Sequence, residues 1–463
     1  MRNSVPISFL ARHRGIYSKT VALMIPMILQ NIISQCVTLS DTFMVGMLGE
    51  QYLSAITIAT TPLFVFTIFI FGVQSGAGIL VAQYWGNGDK DSINRVIGIG
   101  VYFSAITTFT GALVLSLFSH QILGLVISEK ALVGLSAPYA RISGFATALN
   151  SISLTYIACQ RSMENTRFGF MVLSASAVIS VIGKYIFIFG NLGMPALGIM
   201  GAALSTLFAR FVEVVIISIH AFRNSRLPVK LKLLLKPGMA MLKSFVRYSL
   251  PVIYNEALWG FGMMLFPVIL GHMAGAEQIL AAYNIAGNLE RLATVAVMAC
   301  ANATAVIIGR EIGAGRRDQV DGVAKSLIAL GAAIGICSGG LLLLARVMIF
   351  EPYVYPLFDL SKEAAMNTTT ILTILVFIIP LRTMSWTMGI GVLRGGGDVK
   401  AYMYIDVGLL YLAALPMAYI SGIILGLGIA IVYSSILVEY ALKLPLIYLR
   451  IRSKKWIHNL TQE

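Results

Sequence analysis

Charge is scarce in this sequence. Only 12% of its 463 residues are Asp, Glu, Lys or Arg, whereas 58% are hydrophobic. Soluble domains carry about 25% charged residues, so an ordinary soluble enzyme and a disordered chain are both excluded. Cysteine is scarce as well. Cys36, Cys159, Cys300 and Cys337 are scattered through apolar stretches without CxxC spacing. They read as small apolar core residues, with no disulfide or metal role. The five histidines lie in tails or near the ends of apolar runs and form no HExxH pair, which argues against a zinc site. There is no G-x-x-x-x-G-K-[ST] phosphate loop. The longest polar stretch, about Phe222–Ser244, is too short for a nucleotide-binding domain. If the protein moves something uphill, an ion gradient must drive it. The expectation is no enzyme chemistry, no bound metal, and no cofactor beyond H+ or Na+ as coupling ion.

What the chain has in quantity is long apolar runs. A helix needs roughly 20 apolar residues to cross a bilayer. Twelve stretches qualify, at about 21–47, 53–83, 96–118, 133–159, 169–190, 196–221, 245–271, 278–308, 324–349, 366–392, 402–421 and 423–449. Strands of a membrane barrel would be about ten residues long and alternate in polarity, so these are helices. The fold class expected is an all-α membrane protein. Met1–Thr20 is polar and basic, and the run after it is far longer than a signal-peptide core.

The charges that remain sort by loop. Of 34 Lys and Arg, 25 lie in the tails and in alternate loops, including Arg2, Arg12, Arg14 and Lys19, and seven between Arg223 and Arg247. The other loops hold only Lys130, Arg346 and Lys362. The positive-inside rule then places both termini in the cytoplasm of a multi-pass protein of the cell (inner) membrane. The net charge of +14 therefore records topology and contact with anionic membrane lipid, not affinity for nucleic acid.

The two halves of the chain resemble each other. Glu50-Gln51-Tyr52-Leu53-Ser54-Ala55 matches Glu277-Gln278-Ile279-Leu280-Ala281-Ala282, and the same offset lays Gly86-x-Gly88 on Gly313-x-Gly315. Pro26 with Gln30-Asn31 matches Pro251 with Asn255-Glu256, and Gln160-Arg161 lies over Leu393-Arg394. Each copy holds six spans, an even number, so the copies share orientation and form a parallel repeat. The expected division is an N-terminal lobe over residues 1–222, a basic linker over 223–244 and a C-terminal lobe over 245–463. Twelve transmembrane helices would form two pseudo-symmetric six-helix lobes, with substrate bound between them near the membrane midplane.

Several motifs then carry a family resemblance over nearly the whole chain. They are Pro26 through Gln30-Asn31 to Ser40-Asp41-Thr42-Phe43, and Gln83-x-x-Gly86-x-Gly88-Asp89 with its repeat Gly309-Arg310-x-x-Gly313-x-Gly315. Further along come Phe189-Gly190-x-x-Gly193-x-Pro195-x-x-Gly198-x-x-Gly201-Ala202-Ala203 and Leu393-Arg394-Gly395-Gly396-Gly397-Asp398. In order, spacing and duplication they resemble the multidrug and toxic-compound extrusion (MATE) transporters. The resemblance implies proton- or sodium-driven export of organic cations. The glycines read either as tight turns alone or as a gating hinge.

Ionisable groups inside spans are costly and default to functional candidates. The acids are Asp41, Glu213, Glu256, Glu290, Asp406 and Glu439; the bases are Arg141, Lys184, Arg210, Arg291, Arg382 and Lys443. Arg210/Glu213 and Glu439/Lys443 are spaced to neutralise each other on one helix face, and Asp406 lies near a helix end. Asp41 and Lys184 fall about 30 Å and about 22 Å along their helices at 1.5 Å per residue, so an ion pair between them is geometrically possible. The resemblance implies a cation-linked carboxylate at Asp41, and Lys184 departs from the acid or amide common in relatives. The pair reads as a proton- or substrate-opened switch, as a fixed structural bridge, or as no contact at all. Glu256 matches the carboxylate that the resemblance links to cation or substrate binding in the seventh span. It either binds a cation or proton, or pairs with Arg291. No acid lies between Met366 and Val392, which counts against a sodium site there.

The ion-coupling candidates are thus Asp41, Lys184, Glu256 and Arg291. The substrate-cavity candidates are Gln30, Asn31, Gln35, Asn150, Asn255, Trp259 and Met263, with interhelical hydrogen bonding the alternative for the amides. The expectation is a monomeric secondary exporter of small organic cations, proton-coupled rather than sodium-coupled. The alternative is a flippase or transporter of lipid-linked or other anionic metabolites from the same superfamily.

Overall fold

The computed structural model describes residues 6–224, 227–357 and 360–462. Arg2 and Arg226, counted above among the basic loop residues, lie outside the described residues. Among the described residues, twelve helices are long and apolar enough to cross a membrane. No strand occurs among the described residues; the one extended feature is an isolated bridge between Gly397 and Ile457.

In the first repeat, α1 is Pro6–Gly46, α2 Glu50–Thr60, α3 Leu63–Asn87, α4 Lys90–Leu117, α5 Lys130–Ser162, α6 Thr166–Phe189 and α7 Ile199–Arg223. A short linker helix, α8 (Leu231–Leu235), leads to the second repeat. There α9 is Met239–Gly271, α10 Ala276–Ala293, α11 Val295–Gly313, α12 Arg317–Ala345, α13 Lys362–Trp386, α14 Val399–Leu409 and α15 Ile429–Arg452. Helix starts recur at a nearly constant interval: Glu50 and Ala276, Lys90 and Arg317, Lys130 and Lys362, Thr166 and Val399, Ile199 and Ile429. In both repeats the second span is two helices rather than one rod. The break falls at Thr61-Pro62 in the first, where proline cannot donate a backbone hydrogen bond, and at Thr294 in the second.

The compact units do not follow the division at 222 and 245. One unit joins the chain up to Ile28 with Tyr254 onward, and the other runs Leu29–Ile253. Each repeat's first helix is therefore divided between the units. Both boundaries fall two residues beyond a repeat-related proline, Pro26 and Pro251. In keeping with this, Leu23, Met24 and Met27 of α1 pack in a core cluster with Ile447, Ile451 and Trp456 from the end of the chain.

Within the Leu29–Ile253 unit, α4 and α5 are joined by buried hydroxyl pairs, Ser104 with Thr155 at 2.8 Å and Thr108 with Ser151 at 2.9 Å. Hydrophobic burial does not drive helix association in lipid, so such pairs serve as contacts, at roughly 0.6 kcal/mol each. The glycine motif after α3 is a turn. Gly88 takes φ 78° as the left-handed cap of α3, a conformation that favours glycine. Asp89 then caps α4, accepting from the backbone N–H of Asp91 at 3.1 Å and of Ser92 at 3.0 Å.

In the other unit α13 does not stop at Trp386. It continues as a π-helical segment, Thr387–Arg394, and α14 likewise continues through π-helical turns to Ile424. π-turns widen the helix and shift the register of the side chains that follow. Here the shift carries Arg394 into the buried interior, where only 1% of it is exposed.

Candidate functional site

The Leu29–Ile253 unit holds one ion pair that hydropathy and depth suggested. Lys184 on α6 donates to Asp41 Oδ1 on α1. The two side chains are not equivalent: Lys184 is 2% exposed and Asp41 40%. The carboxylate can be reached, whereas the ammonium is sealed behind it. A proton or ligand arriving at Asp41 would strip a buried lysine of its counter-charge, a costly state inside a membrane. Arg210 pairs with Glu213 one helical turn away on α7, as its spacing predicts.

The second unit holds a larger charged network. Glu256 on α9 is bound by Arg394, whose Nη2 donates to Oε1 at 2.8 Å. The expected alternative partner, Arg291, is instead exposed near the end of α10. The physical reason is the π-helical extension of α13, which brings Arg394 inside. The Arg394 guanidinium also lies 4.9 Å from the centre of the Tyr402 ring. Next to it, Asn255 Nδ2 donates to Asp406 Oδ2 at 3.0 Å, and Lys443 Nζ donates to Asp406 Oδ1 at 2.7 Å and to Glu439. Asp406 is thus a fully engaged interior group rather than a residue near a helix end. Glu290 on α10 pairs with Arg382 on α13, whose guanidinium lies 5.4 Å from the Tyr440 ring centre.

The amides divide. Gln30 is buried and donates from Nε2 to the backbone carbonyl of Thr166 at 3.1 Å, which fixes α1 to the start of α6. Asn255 is 1% exposed and committed to Asp406. Asn31, Gln35 and Asn150 are half-buried, and Asn150 Oδ1 is buried without a partner among the described residues. Trp259 and Met263 pack against the apolar cluster built around Phe266 and Tyr433. Sequence reasoning missed Arg394 and the joining of Asp406 to Lys443. The only signal for Arg394 was its place in a duplicated motif. Asp406 carried none, because it meets Lys443 across two helices.

The chain matches the family described as MatE over residues 26–186 and 251–420. It belongs to the MatE family. MatE proteins are multidrug efflux transporters, not enzymes. The chain is 21% identical over 418 residues to the uncharacterized transporter YisQ of Bacillus subtilis, covering 90% of each chain. It is 22% identical over 449 residues to the probable multidrug resistance protein NorM of Thermotoga maritima, covering 95% of this chain and 93% of that one. Among solved structures, an MOP superfamily transporter from Pyrococcus furiosus superposes with a TM-score of 0.83 at 20% identity, over 94% of this chain and 95% of that one. That likeness is one of fold, and the two matched segments of the MatE family correspond to the two repeats described above.

Proposed function

We propose that this MatE protein exports small organic cations in exchange for protons, by alternating access, with both termini in the cytoplasm. The observation that carries the reading is that each candidate coupling carboxylate already holds a cation of the chain itself. Lys184 occupies Asp41, and Arg394 occupies Glu256. A hard metal cation needs a shell of several oxygen ligands, and an ammonium or guanidinium in that place competes with it. A proton needs one oxygen and can displace the internal cation by neutralising its partner. The multidrug efflux of the family supports reading the substrates as small organic cations. The exchange is read as opening of the Asp41–Lys184 pair when Asp41 is protonated, which releases Lys184 from its hold between α1 and α6.

A second reading, export of an anionic compound, is favoured by one observation. Arg394 Nε and Nη1 are buried and lack partners among the described residues, and Arg291 is exposed. Proteoliposomes carrying the full chain decide between them. A fluorescent organic cation and a fluorescent organic anion are assayed for efflux, with the proton and sodium gradients collapsed separately. The proposal expects cation efflux that stops when the proton gradient is removed. Anion efflux, or dependence on sodium alone, overturns it.

A further inference from the structure

Among the described residues, the interior ion pairs of the unit that holds Tyr254 onward do not balance. Glu256, Glu290, Asp406 and Glu439 are four buried or half-buried carboxylates, and the cations paired with them are three: Arg382, Arg394 and Lys443. In the other unit Asp41 and Glu213 face Lys184 and Arg210, one for one. An uncompensated charge in such surroundings is strongly unfavourable. The excess negative charge therefore calls for one more positive charge in the network.

The imbalance is concentrated at one place. Arg394 serves Glu256 and Arg382 serves Glu290. Lys443 alone serves two carboxylates, Asp406 and Glu439. Asp406 has a second donor in Asn255 Nδ2, whereas among the described residues the hydrogen bond to Glu439 is the one from Lys443. Glu439 is 2% exposed, so bulk water solvates its charge little. One turn earlier on the same face of α15, Ser435 is fully buried and its Oγ has no partner among the described residues. Asn255 is equally buried, points into the cluster through Nδ2, and has Oδ1 without a partner.

We infer that Glu439 is a proton-binding site, occupied by one proton, in which the Asp406–Lys443–Glu439 triad is neutral. A proton suits the site better than a metal ion, because the Lys443 ammonium already sits between the two carboxylates and would repel a second cation. The proton bonds to a Glu439 carboxylate oxygen, and Ser435 Oγ, one turn away, is the acceptor suited to it. The groups that set the site's affinity face it from each packed element. They are Asp406 and Tyr402 from α14, Arg382 from α13 with its partner Glu290, and Arg394 from the π-helical segment with its partner Glu256. On α15 itself they are Lys443 and Tyr440. Arg450, further along α15, is engaged separately by Asp398 at 2.6 Å. Protonation and release here exchange a Lys443 shared by two carboxylates for one held by Asp406 alone. That gives the second unit its own proton-linked switch across α14 and α15. Only the use of this proton in transport rests on the antiport reading; its presence does not.

Infrared spectroscopy of the full chain in lipid nanodiscs at neutral pH tests the site directly. The wild type is expected to show the carbonyl stretch of a protonated carboxyl group. Glu439→Gln removes that band completely, while Glu256→Gln and Asp41→Asn keep it. Ser435→Ala shifts the band without removing it, and this variant serves if Glu439→Gln does not fold. A wild type without the band, a band that survives Glu439→Gln, or a band that Ser435→Ala leaves unmoved overturns the inference. If the band behaves as expected while efflux ignores the proton gradient, the antiport reading fails and the site stands. If efflux is proton-driven and the band is absent, the site fails and the antiport reading stands.

Discussion

Arg394 gives Glu256 one hydrogen bond of 2.8 Å and lays its guanidinium 4.9 Å from the centre of the Tyr402 ring. The arginine is therefore held by one carboxylate and one aromatic face, in an interior where an unpaired charge is costly. Two variants probe this arrangement. Removing one partner of a buried pair costs about 3–5 kcal/mol, whereas removing both is far milder. Glu256→Gln and Arg394→Met should each lower the thermal unfolding midpoint in detergent, and the double variant should recover much of the loss. If the two losses simply add, the residues are not coupled.

Tyr402 is pinned from the other side. A side-chain carbon on Gly389 would collide with the Tyr402 ring, so Gly389→Ala must displace it from under Arg394. Overpacking of a tight core costs about 1–3 kcal/mol. The expected result is lower thermal stability together with weaker efflux. Unchanged values in both would show that Tyr402 does not hold Arg394.

The linker between the repeats is docked by a second glycine. A carbon added at Gly98 would meet the backbone carbonyl of Leu234 in α8. Around it, Asn94 Nδ2 donates to the Pro228 carbonyl at 3.2 Å, Arg95 donates to the Pro237 carbonyl at 3.1 Å, and Lys230 pairs with Asp91 at 2.6 Å. Gly98→Val should push α8 away from α4. Limited proteolysis is then expected to cut between Pro228 and Pro237 faster than in the wild type, with the membrane helices intact. An unchanged cleavage rate would mean that the close approach does not hold the linker.

Lys184 offers a sharper functional test. It is buried and its ammonium is held by Asp41. Lys184→Met leaves Asp41 without its internal cation, so protonation of Asp41 no longer releases anything. Proton-driven efflux should fall about tenfold or more, equivalent to about 1.4 kcal/mol or more, at wild-type expression. Efflux at the wild-type rate would remove the pair from coupling.

Much of this was legible in the sequence, and the rest was hidden for definable reasons. Twelve helices follow from run length, because a bilayer fixes how long an apolar helix must be. Counting rise along two helices left an Asp41–Lys184 contact possible, and the structure makes it. The Glu256 partner did not follow, because hydropathy ends the tenth span near Val392 and leaves Arg394 in a loop. The helix in fact continues through π-turns and takes Arg394 inside. Glu439/Lys443 was visible as a spacing on one helix, but Asp406 joins from another, and spacing within a helix says nothing of that. The unit boundaries at Ile28 and Ile253 were hidden for a related reason. A repeat shows which segments are alike, not which segments pack together.

The central claim is that protons, exchanging with cations already built into the chain, drive the transport. Its most direct test is efflux of a fluorescent organic cation from proteoliposomes, with the proton and sodium gradients imposed one at a time. The account predicts efflux under the proton gradient alone in the wild type, lost in Asp41→Asn, and none under the sodium gradient alone. Efflux under sodium alone, or undiminished proton-driven efflux in Asp41→Asn, would contradict it.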